Sequence, residues 1–184
     1  YLGTGIGGYA QYGLSFYDGV SGVVGGSISS STVRNGYCGI VLDHSSSNSL
    51  TSNNVYANAL AGITLISGSA NNISKNNSYG NGGSGFTFSV SSLDANSSNN
   101  SFANGGYGWY LFSVTGSTFT ANTIYSNAFD GILLEAFANN NLFVSNYSYE
   151  NSAQPDFRLG FTDNDGAVGN VFKGGGLGYS PTGE

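Results

Sequence analysis

Glycine returns at positions 39, 62, 85, 108 and 131, each 23 residues after the last. An apolar residue follows it every time (Ile40, Ile63, Phe86, Trp109, Ile132), and another stands two positions further on (Leu42, Leu65, Phe88, Leu111, Leu134). This alternation is that of a short strand with one buried face. Self-similarity at a fixed period signals stacked structural units, each burying its neighbour's apolar face.

Other columns keep the register. Asn53, Asn76, Asn99 and Asn122 stand 14 residues after the glycines, and Asn58, Asn81, Asn104 and Asn127 stand 19 after them. Tyr56, Tyr79, Phe102 and Tyr125 stand 17 after them. In the next unit the register slips by one, so that Asn146, Tyr149 and Asn151 take these roles. Degenerate outer units begin at Gly13-Leu14-Ser15-Phe16 and centre on Leu159-Gly160-Phe161.

The units are rich in Gly, Asn, Ser, Thr and aromatic residues, which disfavour helix. The expected fold is therefore all-β: a parallel β-solenoid of about seven coils with a 23-residue repeat, occupying 13–172. An N-terminal arm (1–12) and a Gly-rich tail (173–184) flank it. Successive coils pair as parallel strands about 4.8 Å apart, so like residues lie above like. Apolar columns then form a core, and Asn53, Asn76, Asn99, Asn122 and Asn146 form a structural ladder of stacked amides. The column glycines supply either positive φ or room for close approach. Of the adjacent columns Val55/Ser78/Ser101/Ile124 and Tyr56/Tyr79/Phe102/Tyr125/Tyr149, the larger and more regular aromatic one is expected to face the core. Turned outward, it would lie against sugars or a partner protein.

The phrase G-I-x-L-x-x-S-x-x-N-x-(L/I)-x-x-N-x-x-x-x-N resembles the right-handed parallel β-helix repeat of the pectin-lyase-like superfamily, in its NosD-type and cell-surface form. The resemblance covers roughly residues 13–172 and implies the right-handed β-helix. It is weakly informative about function, because that repeat serves lyases, hydrolases, epimerases, adhesins and structural surface proteins.

Composition narrows the functional classes. Only 8% of residues are charged, net charge is −6, and the four basic residues are scattered, which argues against nucleic-acid binding. No apolar run is long enough to span a membrane. Cys38 is the single cysteine, so no intrachain disulfide can form, and a small buried apolar role is expected for it.

Catalytic signals are sparse. General acid–base chemistry needs titratable groups gathered at one place, and no column holds two acids and a base. Asp130 and Glu135 flank one strand and are expected on different faces or corners. Asp94 occupies a place where neighbouring coils carry Asn71 and Ser117, as a substitute in a turn ladder. Asp43-His44, with Arg34 one coil earlier, is the most suggestive set. It loosely resembles the Asp-Pro-His phrase of polysaccharide C5-epimerases of this fold, but lacks the proline and lies two residues further from the glycine. Asp163 and Asp165, in Asp163-Asn164-Asp165-Gly166, are weak metal candidates without the downstream Glu of a calcium loop. One His, one Cys and no Met leave few soft ligands for a NosD-like periplasmic role in metal traffic, and no cofactor is expected. Sequons fall at Asn72, Asn76, Asn96, Asn99 and Asn146; Asn72 and Asn96 are the expected surface sites, the other three being assigned to the inward ladder.

Sparse charge and the lack of a blunted strand edge at either end lead to one expectation: a non-enzymatic, glycosylated extracellular or cell-surface structural protein that joins copies of itself head to tail into a fibre. The alternative is a polysaccharide-binding or polysaccharide-modifying β-helix with glycans as its partners.

Overall fold

The computed structural model describes residues 13–16, 22–151, 161–163 and 168–177. Among them there is no helix, and hence none long and apolar enough to cross a membrane. The chain winds into a parallel solenoid with three strand-bearing faces. Seven strands stack on the first face: Leu14–Phe16, Ile40–Asp43, Ile63–Ile66, Phe86–Ser89, Trp109–Phe112, Ile132–Glu135 and Phe161–Asp163. About six turns separate the first from the last. The second face runs from Ser27–Ser29 through Ser49–Thr51, Asn72–Ser74, Ala95–Ser97 and Thr118–Thr120. The third runs from Thr32–Arg34 through Asn54–Tyr56, Asn77–Tyr79, Asn100–Phe102 and Thr123–Tyr125. The long strand Leu142–Tyr149 belongs to both, and Val171–Leu177 pairs with it, running five residues past the expected boundary at 172.

The pairing reproduces the sequence columns. Phe86 pairs with Ile63 and Trp109, and Gly62 and Gly85 lie on adjacent coils, the Gly62 N–H donating to the Ser84 carbonyl and the Ile63 N–H to the Gly85 carbonyl. The core is the sum of inward columns: Ile40, Ile63, Phe86, Trp109 and Ile132; Leu42, Leu65, Phe88, Leu111 and Leu134; and Ile28, Leu50, Ile73, Phe119 and Phe143, all buried. Phe86 stacks on Trp109 at 4.6 Å, and Phe119 meets Trp109 edge to face at 5.3 Å. Cys38 is buried as expected, and burial raises its thiol pKa.

Corners are built by a repeated device. Between the second and third faces, Ser30, Ser52, Lys75, Ser98, Ala121 and Ser145 all have φ between 49° and 58°. The next residue in five of these coils is the inward asparagine Asn53, Asn76, Asn99, Asn122 or Asn146. The amide of Asn76 shows the pattern: its Oδ1 accepts from the Asn53 backbone N–H (3.0 Å) and Nδ2 (2.9 Å), while its own Nδ2 donates to the Leu50 carbonyl (2.9 Å) and to Asn99 Oδ1 (3.1 Å). The side chain thus satisfies backbone groups that the bend withdraws from the sheet ladders. A second amide column, Asn58, Asn81, Asn104, Asn127 and Asn151, does the same between the third and first faces.

The aromatic column faces outward, which corrects the expectation. Val55, Ser78, Ser101, Ile124 and Ser148 point in, whereas Tyr56, Tyr79, Phe102 and Tyr125 are half-buried on the outside and Tyr149 is exposed. The cause lies at the glycine column. None of Gly39, Gly62, Gly85 or Gly108 has positive φ; each instead abuts the third face. A Cβ on Gly85 would collide with Ser101 Oγ, and one on Gly39 with Val55 Cγ1. Ser78 and Ser101 donate hydrogen bonds to the Gly85 and Gly108 carbonyls (2.7 and 2.8 Å). The interior is too shallow there for a ring. Extruded, the rings stack on one another: Tyr56, Tyr79, Phe102 and Tyr125 lie 4.9 Å apart, centroid to centroid, with nearly parallel planes.

Two substitutions test these devices by chemical denaturation. Gly85→Ala is expected to cost about 1–3 kcal/mol by overpacking. Gly80→Ala, at φ 59° with open space around it and alanines at the matching corners 57 and 103, should cost less. Asn99→Ala removes partners of the Asn76 backbone N–H and side chain and of the Ile73 carbonyl on one neighbouring coil and of Asn122 on the other, and should cost more than about 2 kcal/mol, at roughly 1–3 kcal/mol per unpaired buried group.

Candidate functional site

Sheet formation places every second residue of the first face on its outer surface. Two columns alternate with the inward ones: Val41, Thr64, Thr87, Tyr110 and Leu133, of which Val41, Thr64 and Leu133 are themselves buried, and beside them the half-buried Asp43, Ile66, Ser89, Phe112 and Glu135. A third contribution comes from the approach to each strand, where Tyr107, Phe129 and Asp130 precede the column glycines.

Chemistry concentrates at one end of this surface. Tyr110 donates its hydroxyl to Glu135 Oε2 at 2.5 Å, a charge-assisted bond across adjacent strands. Tyr107 stacks on Tyr110 (5.8 Å) and meets the ring of Phe129 (5.2 Å, tilted). Partial burial, the Glu135 bond and its charge together push Tyr110 up to about 12. Tyr107 is also raised, by burial first and then by the charges of Asp130 and Glu135. Both acids therefore act on one tyrosine, although Asp130 precedes the strand Ile132–Glu135 and Glu135 ends it. Tyr110 keeps its proton at neutral pH, so it serves as a hydrogen-bond donor and not as a base. Phe129 is 54% exposed, an apolar ring offered to solvent beside the Tyr107 phenol.

The sequence candidates fall elsewhere. Asp43 and His44 do meet, Oδ1 to Nδ1 at 2.7 Å, with His44 at the exposed corner in the left-handed region (φ 49°). They lie at the other end of the outer surface, four rungs or roughly 19 Å from Glu135. Arg34 ends a strand of the third face and does not join them. Asp163 closes the strand Phe161–Asp163, and Asp165 lies outside the described residues, as does the 1–12 arm. Of the five sequon asparagines, only Asn72 has an exposed side chain. Asn96, expected on the surface, is 1% exposed: it replaces an aliphatic residue in the inward column between Ile73 and Phe119, with Nδ2 donating to the Thr118 carbonyl (3.3 Å). Asn76, Asn99 and Asn146 are locked in the ladder as expected.

The Tyr110–Glu135 pair was missed in the sequence because the partners are 25 residues apart, not 23. They belong to neighbouring columns and meet on the diagonal, which a search within columns passes over.

Comparison with known proteins follows the architecture. No curated protein matches. Among solved structures, a mutant of the periplasmic alginate epimerase AlgG shares 17% identity at a TM-score of 0.74, covering 88% of this chain and 41% of the other. The Dettilon tailspike protein (gp208) shares 19% at 0.74, covering 83% and 37%. The A-module of the Azotobacter vinelandii mannuronan C-5 epimerase AlgE4 shares 20% at 0.57, covering 83% and 54%. These likenesses establish the parallel β-helix fold, and the chain spans only about half of such structures or less. The model of the family described as periplasmic copper-binding protein (NosD) matches residues 11–164. The donors present do not suit copper. Cys38 is buried, the strand Ile40–Asp43 separates it from His44, and no group of three or more His, Cys, Asp or Glu is placed to hold a metal among the described residues. With the match running through most of its length, the chain belongs to the NosD family.

Proposed function

We propose that the protein is a polysaccharide-binding β-helix acting outside the cytoplasm, with the outer surface of the first face as its glycan platform. The observation that carries this reading is the convergence of Tyr107, Tyr110, Phe129, Asp130 and Glu135 on that surface. Exposed rings beside fixed donors and acceptors suit a ligand that is apolar on its ring faces and hydroxylated at its edges.

The family's periplasmic description supports a location outside the cytoplasm, and the alginate epimerases among the structural neighbours support a carbohydrate ligand. These considerations favour the glycan reading over the self-assembling filament. Binding is preferred to turnover, because the protonated Tyr110 and the distant Asp43–His44 pair do not form a joint acid–base set.

Affinity electrophoresis through gels cast with neutral, amino-sugar and uronate polysaccharides tests the proposal. Retardation by at least one of them is expected, with a loss of about 5- to 10-fold in affinity for Tyr107→Ala or Phe129→Ala, in line with about 1 kcal/mol per aromatic contact. Unretarded migration in every gel, or binding untouched by the double variant, contradicts it. A second measurement checks the site geometry. Ultraviolet titration of Glu135→Gln should show Tyr110, and to a smaller extent Tyr107, ionising at lower pH than in the wild type, because the carboxylate that repels both phenolates is gone.

A further inference from the structure

A third inward column stands at the corner between the first and second faces: Asn48, Asn71, Asp94, Ser117, Asn141 and Asn170. Its asparagines obey the amide pattern. Asn48 Nδ2 donates to the Val23 carbonyl (2.8 Å), Asn71 Nδ2 to that of Ser45 (3.1 Å), Asn141 Nδ2 to that of Val114 (2.8 Å). Each Oδ1 accepts from the coil before, as when the Asn48 N–H donates to Asn71 Oδ1 (3.0 Å).

Asp94 fills one half of this role. Its Oδ1 accepts from the Asn71 backbone N–H (2.8 Å) and Nδ2 (3.2 Å), as an amide oxygen would. That fixes Oδ2 in the position where the other rungs carry a nitrogen donor. The step from Asn71 back to Ser45 is 26 residues; the same step from Asp94 leads to the Gly68 carbonyl. Asp94 is 1% exposed, and Oδ2 has no hydrogen-bond partner. The nearby Ser91 hydroxyl is likewise buried and unpartnered. An ionised Oδ2 would thus present lone pairs to a carbonyl oxygen inside the core. A protonated one would present an O–H and imitate the missing amide.

We propose that Asp94 is a proton-operated rung: protonated, its Oδ2–H donates across the corner as an asparagine does, and deprotonated, the corner between the first and second faces is destabilised. The solenoid is then most stable in acidic surroundings. The groups acting on Asp94 are the Asn71 backbone and side chain on one coil and Ser91 on its own, and the Ser117 Oγ accepts its backbone N–H from the next; none of these titrates. Burial dominates and raises its pKa to about 6, against the opposing hydrogen bonds from Asn71 and the weaker pull of the neighbouring Ser91 hydroxyl, which stops short of a hydrogen bond to the carboxyl. The folded state therefore holds a proton that the unfolded chain releases between the ordinary value of 3.8 and about 6. Stability falls as pH rises through that window and levels off above it. The proposal stands apart from the glycan reading.

Thermal midpoints of the wild type and of Asp94→Asn, taken near pH 5 and near pH 8, test it. The wild type should melt lower at the higher pH; Asp94→Asn should narrow that difference and melt above the wild type near pH 8. Equal pH dependence in both proteins, or a variant less stable at both values, overturns the idea. So does a wild type stabilised by rising pH and weakened by a chelator, the sign of a bound cation in place of the proton. Should the variant fail to fold, carbon-13 NMR of the aspartate carboxyls in the wild type decides: a buried carboxyl titrating well above the ordinary aspartate range supports the rung, and all titrating within that range refutes it.

Discussion

A buried side-chain amide that hooks one coil to the next is the interaction on which this molecule depends. Strands in the three faces pair through their backbones, but a corner cannot: the chain turns through a left-handed residue and its next N–H and a carbonyl point into the interior. An asparagine just past the bend supplies an acceptor for the N–H of the coil before and a donor for a carbonyl of that coil. It also fixes the pitch, because Asn76 Oδ1 can meet Asn53 only if the coils stay in register. The 23-residue period is the record of that requirement. Where a coil gains a residue, as before Asn141 and Asn146, the amide contact spans 24 instead and the column continues.

The narrow interior follows from the same winding. With the third face pressed against the glycine column, small side chains point in and rings are driven out. The result is an outer stack of aromatic rings along the third face and a largely apolar core elsewhere, where Phe86, Phe88, Trp109, Phe119 and Phe143 gather. The first face, free of that constraint, carries the tyrosines and carboxylates of the candidate platform. The residues of the proposed platform are ones that the winding does not need: Tyr107, Tyr110, Phe129 and Glu135 can change without breaking a ladder.

Much of the fold was legible because vertical stacking converts sequence spacing directly into contact. The strand columns, the coil number and both complete amide ladders could be read from positions 39, 53 and 58 and their repeats. The third ladder was fainter because Asp94 and Ser117 interrupt it, although Asp94 was recognised as a substitute. Direction was harder. Whether Tyr79 or Ser78 faces in depends on the Gly85 carbonyl, which belongs to another coil and leaves no mark on the local pattern. Asn96 misled for a related reason: a polar residue in a sequon reads as surface, yet its column was already committed to the interior by Ile73 and Phe119. The Tyr110–Glu135 bond was hidden by its diagonal geometry, and Asp130 by its position outside the strand.

Hydrogen exchange of the ladder amides, followed by NMR, addresses the central claim most directly. The backbone N–H groups of Asn76, Asn99 and Asn122, which donate to side-chain oxygens and not to a sheet partner, are predicted to exchange as slowly as those of the core strands, as are their side-chain amides. Exchange at the rate of exposed loop amides, while the strand residues Leu65 and Leu111 remain protected, would show that the asparagine columns do not hold the coils together.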